Sequence, residues 1–202
     1  MGYRRKDAHY RRAKAAGYRA RSAYKLAELD DRFKLLVPGA RVADLGAWPG
    51  GWLQVAAERV GTGGRVVGVD LEPIEPLASP TVACVQGDLR DPATIERTVA
   101  ALGGFASCVL SDAAPKLTGV RSTDDARCEA LLEGIVDALP SLLAPGGSLL
   151  AKVFMAPGHR DLLSSLRGSF REVKTTRPEA SRRGSSELYV VARDFQPVRP
   201  CG

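Results

Sequence analysis

Short apolar runs alternate with helical patterns along most of the chain, and this alternation limits the folds open to it. Seven runs rich in β-branched residues predict strands at residues 41–45, 65–70, 81–86, 106–111, 148–154, 172–176 and 188–192. Helical patterns lie at residues 51–60, 93–102, 124–143 and 159–168. Such a chain is predicted to form an α/β fold with a seven-stranded, mostly parallel sheet and helices on both faces.

The last two predicted strands depart from this alternation. Only residues 177–187 separate them, which is too short for a crossover helix and suits an antiparallel hairpin. A parallel sheet that ends in an antiparallel hairpin is typical of the Rossmann-like methyltransferase fold. We therefore predict one domain of this type at residues 35–195, preceded by an extension at residues 1–34 and followed by a flexible tail at residues 196–202.

The N-terminal extension carries the positive charge of the chain. It holds eleven Lys or Arg and four acidic residues, a net charge of +7, whereas the remainder has a net charge of −1. A cation-rich segment of this kind indicates binding to a phosphate backbone, although a basic segment that only aids solubility has the same composition. The candidate RNA-binding residues are Arg11, Arg12, Lys14, Arg19 and Arg21, with Arg182 and Arg183 in the predicted hairpin loop.

The extension also contains a predicted amphipathic helix over residues 22–33. Ser22 is the expected N-cap, and Leu26 and Leu29 lie on the apolar face. This face predicts that the helix packs against the domain.

Composition excludes several classes of protein. No apolar run reaches the length of a membrane span, and the N-terminus has no signal-peptide core. The four cysteines form no CxxC pair; we expect Cys84 and Cys108 on buried strands and all four reduced in a cytosol. The two histidines have no ligand-like spacing. We predict a cytoplasmic monomer with no metal site and no membrane contact.

A glycine-rich turn follows the first predicted strand and opens the first helix, at residues 44–52. Gly46 and Gly50 allow a sharp turn and close approach of the backbone to a ligand. The turn lacks the middle glycine of the dinucleotide motif GxGxxG, and Pro49 removes a backbone donor that a pyrophosphate would use. The pattern therefore favours a cofactor without phosphates and argues against an NAD-dependent oxidoreductase.

Two acidic residues end the next two predicted strands. Asp70 is placed to accept hydrogen bonds from the hydroxyls of an adenosine ribose, and Asp88 could contact the adenine amino group. Either residue could instead be a helix N-cap or a turn residue. Together with the glycine turn they predict a cofactor site at the carboxyl edge of the sheet.

A lysine inside an apolar strand is the strongest candidate for catalysis. Lys152 must pair with an acid, face a cleft, or extend to water, because unpaired charges are rarely buried. Asp112 follows the fourth predicted strand, Glu187 begins the last, and Lys25 lies on the N-terminal helix.

These motifs resemble those of the FtsJ/RrmJ family of RNA ribose 2′-O-methyltransferases over nearly the whole chain, at residues 17–26, 44–52, 111–115, 152–154 and 185–189. The resemblance implies S-adenosyl-L-methionine as cofactor and a catalytic tetrad of Lys25, Asp112, Lys152 and Glu187. It implies Lys152 as general base, with Lys25 and Glu187 orienting the ribose. Cofactor contacts are expected from Gly46, Gly50, Trp52, Asp70, Asp88 and Asp112.

The resemblance also implies an RNA substrate. We expect a ribose, of a uridine, in 23S-type ribosomal RNA of the large ribosomal subunit. A tRNA ribose 2′-O-methyltransferase and a non-catalytic RNA-binding assembly factor are the alternatives. Two residues depart from the family pattern: Trp48 replaces a small residue and is expected to reshape the methionine end of the pocket, and Lys116 is either a phosphate contact or a solvated cation.

Overall fold

The computed structural model describes residues 17–116, 118–154, 159–179 and 187–197. Five helices lie in these ranges: α1 (Ala23–Phe33), α2 (Gly51–Val60), α3 (Pro92–Leu102), α4 (Arg121–Leu142) and α5 (His159–Ser169). Seven strands accompany them: β1 (Arg41–Leu45), β2 (Arg65–Asp70), β3 (Val82–Gln86), β4 (Ala106–Ser111), β5 (Leu143–Phe154), β6 (Phe170–Thr176) and β7 (Glu187–Phe195).

All seven strands form one sheet in the order β3-β2-β1-β4-β5-β7-β6. The pairs from β3 to β5 are parallel, and β7 is antiparallel to both of its neighbours. The predicted fold class and the terminal hairpin are confirmed. The strand order reverses between β1 and β4, and the carboxyl edge at such a reversal is where open α/β sheets bind ligands.

The sheet separates two apolar clusters because alternate residues of each strand point to opposite faces. Val42 of β1 packs with α1 and α2 on one face, whereas Ala43 and Leu45 pack with α3, α4 and α5 on the other. The buried side chains of Leu26 and Leu29 belong to the first cluster, as predicted. Helix α1 is therefore packed into the core of the domain; the division at residue 34 stays a prediction.

Ser22 occupies the expected N-cap position of α1, but its side chain does not cap the helix. The Ser22 hydroxyl makes no capping hydrogen bond, because Ser22 itself has helical φ and ψ angles. The backbone carbonyls of the preceding turn accept the first amides of the helix instead: Ala23 N–H donates to Ala20, and Tyr24 N–H donates to Arg21.

The expectation for one of the two strand cysteines is wrong. Cys108 is buried on the central strand β4, but Cys84 is exposed. The reason is that β3 lies at the edge of the sheet and is only partly covered by helices. Cys84, Cys108 and Cys128 all carry free thiols.

Within the described ranges, no helix combines the length and apolar character needed to cross a membrane. The same ranges contain no cluster of three or more His, Cys, Asp or Glu side chains placed to hold a metal ion.

Candidate active site

The four residues of the predicted tetrad meet at one edge of the sheet as two ion pairs. Lys25 Nζ lies 2.8 Å from Glu187 Oε2, and Lys152 Nζ lies 3.1 Å from Asp112 Oδ1. Lys152 Nζ also donates to the backbone carbonyl of Asp112. Lys25 is 6% exposed and Lys152 is 7% exposed, so the alternative in which Lys152 extends to water is wrong.

Strand β5 and its two neighbours in the sheet place three of these groups: Asp112 follows β4, Lys152 lies in β5, and Glu187 begins β7. Strands β5 and β7 pair so that Lys152 lies opposite Tyr189 and Phe154 lies opposite Glu187. Glu187 thus begins a strand directly beside the one that carries Lys152. The antiparallel insertion of β7 next to β5 therefore brings residues 35 positions apart in the chain into one site.

Helix α1 supplies the fourth group and is held against the same hairpin. The Arg32 guanidinium donates to the Thr176 hydroxyl at 3.1 Å, and Glu28 accepts from the Glu179 backbone N–H at 2.9 Å. These contacts lie one and two turns from Lys25 on the helix. The position of Lys25 is consequently coupled to the position of the hairpin.

Tyr189 links the two ion pairs, and the sequence analysis gave it no role. Its hydroxyl donates to Asp112 Oδ1 at 2.7 Å, and its ring stacks on Trp52 with centroids 6.1 Å apart. Lys25 Nζ lies 5.7 Å from the ring centroid. Burial, followed by the charge of Asp112, raises the pKa of Tyr189 far above its ordinary value, so the hydroxyl stays a donor. Its i+2 spacing from Glu187 was the available signal, since such residues share a strand face.

The cofactor edge lies beside the tetrad, at the ends of β1, β2 and β4. Asp70 accepts from the backbone N–H of Trp48 at 2.8 Å and of Glu72 at 2.9 Å, which fixes its carboxylate. Gly46 has a φ of +78°, and a Cβ there would lie 2.5 Å from the Cβ of Ala113. The predicted glycine is therefore required by the close approach of the β1 and β4 loops.

Asp44 is a buried acid that the sequence analysis did not select as a site residue. Neither of its carboxyl oxygens has a hydrogen-bond partner among the described residues. Burial, together with the charges of Asp112 and Asp70, raises the pKa of Asp44 well above its ordinary value. An acid that ends an apolar strand just before the glycine turn was the signal for it.

The other predicted cofactor contacts have partners within the protein. Asp88 accepts two bonds from the Arg90 guanidinium, at 3.0 and 2.6 Å, and these bonds lower the pKa of Asp88. Trp52 is 3% exposed, and its indole N–H donates to the Ser22 carbonyl at 2.9 Å. Gly50 has a φ of +104°. Their contacts with a cofactor stay predictions.

The segment before α1 is tied to the glycine turn. The Gln54 side chain accepts from Arg19 N–H at 2.8 Å and donates to the Gly17 carbonyl at 2.9 Å. The Arg19 guanidinium donates to three backbone carbonyls, those of Pro49, Glu75 and Pro76. Arg19, predicted to contact RNA, thus also joins the extension to the cofactor edge.

Of the remaining RNA-binding candidates, the structure describes only Arg21. Arg21 is half-buried, and its charge acts on the buried Tyr189. Arg11, Arg12, Lys14, Arg182 and Arg183 lie outside the described residues.

The residues at the cofactor edge fit S-adenosylmethionine. Asp70 offers carboxylate acceptors to the two ribose hydroxyls, and the unpartnered oxygens of Asp44 suit a cation such as the amino group of a methionine moiety. A sheet of this order, with an acid at the end of β2 and buried lysine–carboxylate pairs beside it, defines a Rossmann-like methyltransferase.

Comparison with known proteins identifies the family within this class. The family model for FtsJ-like methyltransferases matches residues 18–195. The chain is 42% identical to the ribosomal RNA large subunit methyltransferase E of Methanobrevibacter smithii over 193 residues, covering 96% of this chain and 92% of that protein. It is 49% identical to the enzyme of the same name from Natronomonas pharaonis over 197 residues, covering 96% and 77%.

A solved structure agrees with these relatives. The crystal structure of a ribosomal RNA methyltransferase from Plasmodium falciparum superposes with a TM-score of 0.77 at 28% identity, covering 88% of this chain and 98% of that one. The chain belongs to the FtsJ-like methyltransferase family. It is an RNA methyltransferase that uses S-adenosylmethionine.

Proposed function

We propose that this enzyme transfers a methyl group from S-adenosylmethionine to a ribose 2′-hydroxyl, of a uridine, in large-subunit ribosomal RNA. The observation that carries the proposal is the pairing of the buried Lys152 with the half-buried Asp112, whose carboxylate also accepts from the Tyr189 hydroxyl. A lysine and a carboxylate held this firmly beside a cofactor edge suit the removal of a proton from a weakly acidic alcohol. The names of the relatives support ribosomal RNA as the substrate.

The cofactor edge has the groups that this reaction requires. When bound, S-adenosylmethionine supplies a methyl group on a positively charged sulfur. The residues proposed to hold it are Asp44, Gly46, Gly50, Trp52, Asp70, Asp88 and Asp112. Asp44 is added to the predicted set because its buried oxygens lack partners in the described part of the chain.

The tetrad residues act on the acceptor ribose. As a neutral amine, Lys152 Nζ takes the proton of the 2′-hydroxyl while the oxygen attacks, and it becomes the ammonium that Asp112 stabilises through both its carboxylate and its carbonyl. Lys25 and Glu187, paired at 2.8 Å, orient the ribose. Alignment of the oxygen with the methyl group accounts for much of the rate in reactions of this type.

Two other functions compete with this one. Methylation of tRNA uses the same chemistry and differs only in the RNA that binds. A non-catalytic assembly factor is disfavoured, because two buried lysine–carboxylate pairs cost desolvation energy for which a pure binding protein has no use.

The proposal extends to the form of the RNA substrate, the location of the protein and its oligomeric state. We propose that the substrate is 23S-type RNA within the large ribosomal subunit, and that the protein works in the cytoplasm as a monomer. The basic extension at residues 1–34 and the hairpin loop are proposed to hold the RNA beside the tetrad.

The proposal is tested by incubating the enzyme and labelled S-adenosylmethionine with unmodified large subunits, free ribosomal RNA or bulk tRNA. We expect transfer to ribosomal RNA, recovered as an alkali-resistant dinucleotide. Methyl transfer confined to tRNA would show that the substrate is tRNA and not ribosomal RNA. The absence of transfer to any RNA would favour a non-catalytic assembly factor.

A variant identifies the general base in the same assay. Lys152→Ala is expected to abolish transfer while S-adenosylmethionine still binds, since Lys152 acts on the acceptor. Lys174→Ala, at an exposed lysine of β6, is the matched control with unchanged turnover. Near-normal turnover by Lys152→Ala would exclude it as the base.

A further inference from the structure

The cofactor edge presents an exposed indole ring. Trp48 is 58% exposed, whereas Trp52 on the following helix is buried. The backbone N–H of Trp48 donates to Asp70 at 2.8 Å, so the residue is anchored while its ring faces solvent. A large aromatic surface held in this way is suited to stacking on a flat ligand.

Lys116 provides a cation on the same edge. It is 95% exposed at its side chain, but its backbone is held, because the Arg127 guanidinium donates to the Lys116 carbonyl at 2.8 Å. The following loop is fixed by Asp124, which accepts from the backbone N–H groups of Thr118 and Gly119. The ammonium group is thus presented to solvent from a residue whose backbone is held by a hydrogen bond.

An ion pair brings these two features together. Lys116 Nζ, on the β4 loop, lies 3.7 Å from Glu72 Oε1, on the β2 loop. Glu72 and Trp48 both donate their backbone N–H groups to the Asp70 carboxylate, so the pair lies beside the β1 loop that carries Trp48. Both side chains are exposed, and such surface pairs contribute little energy. A phosphate can therefore replace Glu72 as the partner of Lys116.

We propose that Trp48 and Lys116 form a subsite for a single-stranded RNA nucleotide that neighbours the methylated one. The base stacks on the Trp48 indole, and the phosphate of the nucleotide replaces the Glu72 carboxylate as the partner of the Lys116 ammonium. The inference rests on the proposed function, since an RNA strand at the tetrad passes along this edge.

Binding of a fluorescently labelled hexauridylate, with S-adenosylhomocysteine saturating, tests the subsite directly. We expect Trp48→Ala to weaken binding about tenfold through loss of stacking. We expect Lys116→Ala to weaken binding roughly threefold and to lower the salt dependence by about one unit of slope. Glu72→Gln should tighten binding, because it removes the competing carboxylate.

Two matched controls distinguish a loss of binding from structural damage, and so do the opposite effects on affinity expected of Glu72→Gln and Lys116→Ala. Phe105→Ala removes an exposed aromatic ring at the other edge of the sheet, and Lys174→Ala removes an exposed lysine from an ion pair. Both should bind hexauridylate as the wild type does. If Glu72→Gln and Lys116→Ala weaken binding equally, the ion pair is only structural and the subsite is wrong.

The affinity for S-adenosylhomocysteine alone, measured by calorimetry, shows whether the Trp48 indole contacts the cofactor or the RNA. It should be unchanged in Trp48→Ala; a loss there with unchanged hexauridylate binding would assign Trp48 to the cofactor pocket and overturn the proposal. The proposed function is tested separately: it fails if the wild type transfers no methyl group to RNA. If transfer fails but the variants change hexauridylate binding as expected, Trp48 and Lys116 still form a nucleotide-binding subsite.

Discussion

At the scale of single residues, Asp112 determines the geometry of the candidate active site. Its Oδ1 lies 3.1 Å from Lys152 Nζ and accepts from Tyr189 at 2.7 Å. Its carbonyl accepts from Lys152 as well. Lys152 is therefore positioned by two atoms of one residue, and that residue is positioned by a buried tyrosine. Preorganisation of this kind requires the supporting side chain to be fixed.

The Tyr189 hydroxyl is expected to be a positioning group. Tyr189→Phe keeps the ring between Trp52 and Lys25 but removes the donor to Asp112, so we expect about a tenfold fall in kcat with an unchanged KM for S-adenosylmethionine. We also expect a loss of about 1 kcal/mol in the free energy of unfolding. Tyr18→Phe is the control, because it removes a tyrosine–carboxylate bond to Glu58 away from the site. Equal effects on kcat in the two variants would contradict the role.

Asp44 is expected to make the stability of the cofactor-free protein depend on pH. Its ordinary pKa is 3.8, and the folded state raises it, so the unfolded chain ionises first. The contribution of Asp44 to stability is full below pH 3.8 and declines as the pH rises toward the folded pKa. Asp44→Asn does not titrate and escapes this decline.

Urea unfolding at pH 5 and pH 8 measures the difference. The free energy of unfolding of Asp44→Asn relative to wild type should be larger at pH 8 than at pH 5, because the raised pKa of Asp44 costs the wild type stability as the pH rises. Glu96→Gln, at an exposed carboxylate, controls for the change of charge. A difference that is independent of pH would show that Asp44 is ionised in the folded protein.

At the scale of elements, the alternation of strands and helices predicted the sheet correctly, and it placed Lys152 within a strand and Asp112 at the end of another. Pairing of Lys152 with an acid was one of the outcomes that the sequence left open, and the identity of that acid as Asp112 appears only in the structure. Contacts that depend on the neighbouring strand did not follow. Cys84 was misplaced because sheet order, which puts β3 at the edge, is not local information. Tyr189 and Asp44 were missed because their partners, or the lack of them, appear only in three dimensions.

Gln54 contributes two of the hydrogen bonds that join the extension to α2. Gln54 makes both side-chain hydrogen bonds that hold the backbone of Gly17 and Arg19. Gln54→Ala should therefore accelerate amide hydrogen exchange at residues 17–22 and leave the central strands protected. It should also raise the KM for RNA, since the basic segment is then less well placed. Gln196→Ala is the control, and unchanged exchange at residues 17–22 would contradict the assignment.

At the scale of the whole molecule, charge and chemistry are separated along the chain. Residues 1–34 hold a net charge of +7, and the rest of the chain is nearly neutral. The extension is therefore expected to provide most of the salt-dependent affinity for RNA, while the carboxyl edge of the sheet provides the reaction.

Neutralising three cations tests this division. Substitution of Arg11, Arg12 and Lys14 by glutamine should lower the slope of log Kd against log salt by roughly two units, because about 0.7–0.9 counterions are released per phosphate contact. Turnover at saturating RNA should be nearly unchanged. The control substitutes Arg167, Arg171 and Lys174, three exposed cations of α5 and β6. Equal slopes for both triple variants would refute a special role of the extension.

The insertion of β7 between β5 and β6 has a consequence for biosynthesis. A chain growing from its N-terminus completes the glycine turn and Asp70 long before Glu187 and Tyr189 are translated. Until then Lys152 lacks the strand beside it, and Asp112 lacks its tyrosine donor. The nascent protein thus acquires its methyl-donor side first and completes its acceptor side last. A chain that ends before β7 has Lys152 and Asp112 but lacks Glu187, which is proposed to orient the ribose, and Tyr189, which donates to Asp112.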